Sequence, residues 1–104
     1  MKPRILIVED ERGIQLALES LLRKAGYEIV LAGSGDEAIA SFQSQVFDLV
    51  ITDLALGQGP TGLDVLHAIK ASRPETPVVM ITARGSEKIA VEAMKGGAED
   101  YVPK

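Results

Sequence analysis

Residues 5–11 read ILIVEDE, four consecutive apolar residues followed at once by three acidic ones. A short continuous apolar run, here with three β-branched members, is typical of a strand that is buried on both faces. Strands of this kind belong to parallel sheets that carry helices on each side. The run therefore predicts an α/β fold, and the acidic residues mark the carboxyl end of its first strand.

The alternation of strand and helix continues outward from this run. Apolar runs predict further strands at 28–32, 49–52, 77–82 and 100–102, and helical patterns fill the intervals. The inward face of the first helix is predicted from five apolar residues at helical spacing: Ile14, Leu18, Leu21, Leu22 and Ala25.

Helix boundaries follow from local signals. Gly26 and the pair Gly96-Gly97 are placed to end the first and fourth helices, residues 34–37 have the form of a capping box for the second, and Ser86 can cap the fourth. The pattern (βα)4β predicts a doubly wound, five-stranded parallel sheet in one domain, 1–104. A closing C-terminal helix does not follow the fifth strand, so we interpret the chain as the front of a longer protein or as truncated.

Composition excludes several classes of protein. The chain has 104 residues, enough for one core, and its 46% hydrophobic and 25% charged residues are ordinary for a globular domain. It has no cysteine, which excludes disulfides and thiolate metal sites. A net charge of −4 argues against nucleic-acid binding by this segment. No apolar run approaches the roughly 18 residues that span a bilayer, and no signal peptide is visible, so we expect no membrane association and a cytoplasmic location.

Polar side chains gather where the predicted strands end. Glu9 and Asp10 follow the first strand, Asp53 the third, Thr82 ends the fourth and Lys104 follows the fifth. In open parallel sheets, ligands bind at this carboxyl edge. Two unit charges about 4 Å apart repel by roughly 4 kcal/mol at an effective dielectric of 20, so clustered carboxylates need a positive partner.

Two positive partners fit this edge, Lys104 or a hard divalent cation. Every other ligand atom offered is an oxygen, which suits Mg2+. Taken singly, each aspartate is more simply explained as a helix cap or a turn residue. Taken together, the polar residues at four strand ends favour a functional site.

Four blocks of the sequence together resemble the signature blocks of bacterial response-regulator receiver domains: 5–11 (ILIVEDE), 48–53 (DLVITD), 79–83 (VMITA) and 100–104 (DYVPK). The resemblance covers the whole chain in order and spacing. It implies a flavodoxin-like sheet of order 2-1-3-4-5.

The resemblance also implies a domain that takes a phosphoryl group from a histidine kinase or phosphotransfer protein and controls an output domain C-terminal to this chain. A homodimer is left open. Residues 90–98 are similar to receivers of sigma-54-dependent transcription activators.

The resemblance assigns roles residue by residue. Asp53 is the phosphoacceptor, and Glu9 and Asp10 are the acidic pair. Asp10, Asp53 and the backbone carbonyl of Ala55 ligate Mg2+. Thr82 is the switch hydroxyl, Lys104 pairs with the phosphoryl group, and Tyr101 is the switch aromatic, for which ordinary packing at the sheet edge is the alternative.

Two departures from the family pattern are visible. The acidic pair is Glu-Asp instead of Asp-Asp, so we expect Glu9 to contact the metal through water. The loop after Asp53 (residues 54–62, LALGQGPTG) lacks the usual Met-Pro pair and is one residue longer, so its conformation is not implied by the resemblance.

Other functions also have support in the sequence. Residues 57–62 match G-x-G-x-x-G and 33–38 match its variant, which suggests a dinucleotide-binding domain. That fingerprint belongs in the first βα turn, here residues 9–13. A hydrolase with an aspartyl-phosphate intermediate needs a second acid or base, which is not evident. A degenerate receiver that only binds partners is the third alternative. We expect the single histidine, His67, to be a surface residue.

Overall fold

The computed structural model describes residues 2–82 and 87–103, in which five strands alternate with four helices. The strands are β1 (Arg4–Val8), β2 (Glu28–Ala32), β3 (Leu49–Asp53), β4 (Val78–Thr82) and β5 (Asp100–Pro103). The helices are α1 (Arg12–Lys24), α2 (Gly35–Ser44), α3 (Gly62–Ser72) and α4 (Glu87–Lys95). The strands form one parallel sheet in the order β2-β1-β3-β4-β5, so the predicted fold class and strand order are confirmed.

The sheet separates two apolar layers, because successive side chains of a strand point to opposite faces. On one face, α1 packs through Leu18 and Leu22 against Ile5, Ile7 and Ile29. On the other face, α2, α3 and α4 cover a larger core that the remaining strand residues supply. Helices on both faces explain why β1 is apolar throughout, with each residue from Ile5 to Val8 at most 2% exposed.

Glycine ends two helices as predicted. Gly26 and Gly97 have φ angles of +98° and +103°, in the left-handed region that favours glycine. After α1, the N–H of Tyr27 donates to the carbonyl of Leu22 and that of Gly26 to Arg23, the hydrogen-bond pair of a Schellman motif. Both turns send the chain directly into the next strand.

The helix-start predictions are partly right. The Ser34 hydroxyl accepts a hydrogen bond from the N–H of Glu37, but the Glu37 carboxylate accepts from Gly33, so the box at α2 is not reciprocal. A reciprocal box begins α3 instead, between Thr61 and Asp64. The predicted cap at Ser86 lies outside the described residues.

The prediction for the inward face of α1 is wrong at two positions. Leu21 is 65% exposed and Ala25, just after the last residue of α1, is also exposed, whereas Gln15 is buried. The helix turns 100° per residue, so Gln15, Leu18 and Leu22 share the face toward the sheet while Leu21 lies beside it. In the described part of the chain, no helix has both the length and the apolar character needed to cross a membrane.

Candidate functional site at the carboxyl edge of the sheet

Three carboxylates meet where β1 and β3 end. The two strands are neighbours with Val8 opposite Thr52, which brings Glu9 and Asp10 beside Asp53. One oxygen from each of the three carboxylates lies within 4.8 Å of the others. Glu9 is fully buried, Asp53 is 5% exposed and Asp10 is exposed. The sequence prediction that the strand ends bring these groups together is confirmed.

The Asp53 carboxylate is oriented by the backbone that follows it. The N–H of Ala55 donates to its Oδ1 at 3.2 Å, and the hydroxyl of the buried Thr52 donates to the Asp53 carbonyl at 3.1 Å. The N–H of Gly62 donates to the carbonyl of Leu54, which ties the start of α3 to the end of β3. The chain just after Asp53 therefore helps to orient its side chain.

Glu9 is held by its backbone and its side chain. Its N–H donates to the carbonyl of Ala32 at 3.0 Å, and its Oε2 accepts from the N–H of Glu11 at 3.1 Å. Its own carbonyl accepts from Nε2 of Gln15 at 3.1 Å, and the Gln15 amide oxygen accepts in turn from Arg12. Sequence reasoning missed Gln15, and the available signal was a polar residue at an inward position of an amphipathic helix.

The glycines of the fingerprint-like loop have a packing role. A Cβ atom on Gly62 would lie 2.1 Å from the carbonyl oxygen of Asp53, so α3 can begin against the end of β3 only with glycine there. Gly59 has a φ angle of +90°, which side chains disfavour. The loop follows β3, whereas a dinucleotide fingerprint would follow β1, so this alternative loses its structural context.

The other predicted site residues lie on the adjacent strands. Thr82 ends β4 and is 2% exposed. The residue before it, Ile81, lies opposite Asp53 on β3, so Thr82 is one residue beyond that pair. Tyr101 on β5 lies opposite Met80 on β4 and packs against the larger core. Its hydroxyl is buried and has no hydrogen-bond partner within residues 2–82 and 87–103. Lys104 lies outside the described residues, and His67 is exposed on α3, as expected.

The chemistry of the three-carboxylate cluster fits a hard divalent cation. It offers three carboxylates and no nitrogen or sulfur ligand, the donor set that Mg2+ and Ca2+ prefer. Two of the three groups, Glu9 and Asp53, are buried. A cation at this point would offset the mutual repulsion of the carboxylates.

Comparison with known proteins agrees with this geometry. The model of the response regulator receiver domain family matches residues 5–104. Transcriptional regulatory protein ZraR of Escherichia coli is 43% identical over 100 residues, which are 96% of this chain and 22% of that protein. The chain thus spans about a fifth of the length of this relative.

Solved structures agree as well. Response regulator protein TrrA of Thermotoga maritima, in complex with Mg2+-BeF, is 36% identical with a TM-score of 0.89, over 100% of this chain and 87% of that one. A response regulator protein of Burkholderia pseudomallei with a phosphorylated aspartic acid and a calcium ion is 27% identical with a TM-score of 0.92, over 99% of this chain and 60% of that one. With the family model matching nearly the whole chain, this protein belongs to the response regulator receiver domains of two-component signalling.

Proposed function

We propose that Asp53 is the residue that accepts the phosphoryl group, from a histidine kinase or phosphotransfer protein. The observation that carries the proposal is the Asp53 carboxylate at the end of β3, within 4.8 Å of Glu9 and Asp10. A carboxylate oxygen of Asp53 attacks phosphorus, an acyl phosphate forms, and the bond from phosphorus to the donor nitrogen breaks. The phosphorylated aspartic acid of the Burkholderia pseudomallei protein supports this chemistry.

Mg2+ is the proposed cofactor, held by Asp10, Asp53 and the Ala55 carbonyl, with Glu9 acting through water. When bound, it offsets negative charge on the phosphoryl oxygens. The oxygen-only donor set and the Mg2+ bound to the TrrA protein support this choice. The part played by this chain is to hold the carboxylates in place, through the hydrogen bonds to Asp53 and Glu9 described above.

The proposed response runs through Thr82, Lys104 and Tyr101. Lys104 pairs with the phosphoryl group, Thr82 donates to one of its oxygens, and Tyr101 turns inward as Thr82 moves. The buried position of Thr82 on the strand next to Asp53 supports its role. The change at the surface of α4 and β5 then controls an output domain. The name of the relative ZraR supports transcription as the regulated process, with a sigma-54-dependent activator in the cytoplasm as the specific proposal.

Labelling with acetyl phosphate and Mg2+ tests the acceptor. We expect the parent chain to gain an acid-stable, hydroxylamine-labile phosphoryl group that Asp53→Asn lacks. Asp48→Asn is the matched control, because Asp48 lies at the opposite end of β3 and its contact with the N–H of Arg4 needs only a side-chain oxygen. Full labelling of Asp53→Asn would refute the assignment. Absence of label in the parent would instead favour a degenerate receiver that only binds partners.

A further inference from the structure

The amino end of α2 touches the loop that follows the proposed phosphoacceptor. We call residues 54–61 the β3–α3 loop. Gly35, the first residue of α2, is buried against Pro60 of this loop. A Cβ atom on Gly35 would lie 2.6 Å from the carbonyl oxygen of Pro60 and 2.7 Å from its Cβ. The obstructing atoms include backbone, so rotation of a side chain cannot make room.

Space, and not backbone conformation, is the reason for glycine at this position. Gly35 belongs to a regular helix and is not among the glycines with positive φ. Glycine is a poorer helix former than alanine. The sequence therefore accepts a poorer helix former where α2 must approach the loop.

The first residues of the same loop follow Asp53 and are hydrogen-bonded to its carboxylate. The N–H of Ala55 donates to Oδ1 of Asp53 at 3.2 Å, and Leu54 and Leu56 are each 8% exposed. The loop is thus fixed at Asp53 on one side and at Gly35 on the other. Pro60 lies two residues before Gly62, whose N–H donates to the Leu54 carbonyl at 3.1 Å, so a push at Pro60 reaches the backbone that follows Asp53.

We infer that Gly35 is a positioning residue for the metal and phosphoacceptor site. It touches neither metal nor phosphoryl group, and acts by letting α2 hold Pro60 where the Ala55 carbonyl and the Asp53 carboxylate bind the cation together. The inference rests on the function proposed above. It also assigns a role to the lengthened loop, whose Gly59-Pro60 segment is the part that docks on α2.

Direct measurement of Mg2+ affinity by calorimetry tests this inference. Gly35→Ala should weaken Mg2+ binding roughly tenfold, the size of effect typical of residues that orient metal ligands. Gly33→Ala is the matched control two residues earlier, since its Cβ would meet only a carboxylate oxygen of Glu37 at 4.0 Å. This control should bind Mg2+ like the parent.

A double variant separates positioning from general damage. In a Pro60→Gly background the loop can yield, so Gly35→Ala should there change Mg2+ affinity little. Equal weakening by Gly35→Ala in both backgrounds would overturn the inference. If Gly35→Ala does not fold, Pro60→Gly alone must weaken Mg2+ binding by releasing the loop from α2, and unchanged affinity would again overturn it.

The two proposals fail in distinguishable ways. If Asp10→Asn removes Mg2+ binding while Gly35→Ala leaves it unchanged, the positioning role is wrong and the proposed function stands. If Asp10→Asn binds Mg2+ as the parent does, the metal site itself is wrong, and the positioning role falls with it.

Discussion

Glu9 and Asp10 are neighbours in sequence, but their side chains lie in opposite surroundings. Glu9 is fully buried and engaged by Glu11 and Gln15, whereas Asp10 is exposed at the mouth of the site. The sequence predicted the acidic pair but not this difference, because a strand end specifies only the edge of the sheet on which a side chain lies. The buried member suits a fixed part of the site, and the exposed member can meet a hydrated ion.

The two members of the pair should therefore differ in function. Asp10→Asn should abolish Mg2+-dependent labelling of the chain, because it removes a charged ligand. Glu9→Gln should retain part of the labelling, because the amide oxygen can still accept from the N–H of Glu11. Label incorporation over a series of Mg2+ concentrations measures both effects. Equal loss in the two variants would contradict the ranking.

Gln15 is the residue whose importance only the structure reveals. Gln15→Leu keeps the bulk of the side chain but removes the donor to the buried Glu9 carbonyl. Loss of this buried hydrogen bond should cost about 1 kcal/mol, which urea denaturation would detect. Gln43→Leu on the exposed side of α2 is the control and should cost little. A stable Gln15→Leu variant would show that water or another donor replaces the amide.

Helix α3 is anchored at its amino end by a reciprocal capping box. The Thr61 hydroxyl accepts from the N–H of Asp64, and the Asp64 carboxylate accepts from the N–H of Thr61 at 2.9 Å. The hydrogen bond from the Thr61 backbone is the main cause that lowers the pKa of Asp64 below its ordinary value of 3.8. The charged form of Asp64 is thus favoured by folding.

The sign of the resulting pH dependence follows from the lowered pKa. Asp64 stabilises the fold fully above pH 3.8, its ordinary value, and this contribution is lost as the pH falls through the lowered pKa. Asp64→Ala should therefore lower the midpoint of thermal unfolding at neutral pH, by an amount that shrinks in acid. Thermal unfolding from pH 7 to pH 2 measures this difference, with the exposed Glu75→Ala as control. A difference that stays constant with pH would contradict the capping role of the charge.

The sequence predicted elements well where one signal decided them. Apolar runs located all five strands to within one residue at each end, because the strands of a sheet covered by helices on both faces are mostly apolar. Gly26 and Gly97 marked helix ends because few other residues adopt a positive φ. The β3–α3 loop was not predictable, since its course depends on the contact of Gly35 with Pro60, which are distant in sequence.

The face of the sheet that carries α1 is incompletely covered by the described residues. Ile51, Val79 and Ile81 are partly exposed, and Val102 is 40% exposed. Alternation along the strands puts these side chains on the α1 side, because their neighbours Val78, Met80 and Tyr101 point into the other core. We propose that a helix following Lys104 in a longer chain covers them.

A longer chain tests that proposal. Extension by about 20 residues, a connection plus one helix, should raise the free energy of unfolding by burying apolar area at roughly 25 cal/mol per Å2. Urea denaturation of both chains measures the difference. Val102→Ser should cost little in the 104-residue chain and more in the extended one. Equal stability of the two chains would show that the added segment does not cover this face.

The strands of the sheet should differ in how fast their amide protons exchange with solvent. β1 is hydrogen-bonded on both sides, to β2 and β3, whereas β5 is bonded to β4 alone among the described strands. Amide protons of Ile5 to Val8 are thus expected to exchange with solvent deuterium only when the whole sheet opens, and those of β5 through local fraying. The acidic pair follows a strand that is bonded on both sides, and Tyr101 lies on β5, where we expect faster exchange. A cation can therefore meet ligands that keep their spacing while the opposite side of the same sheet changes shape.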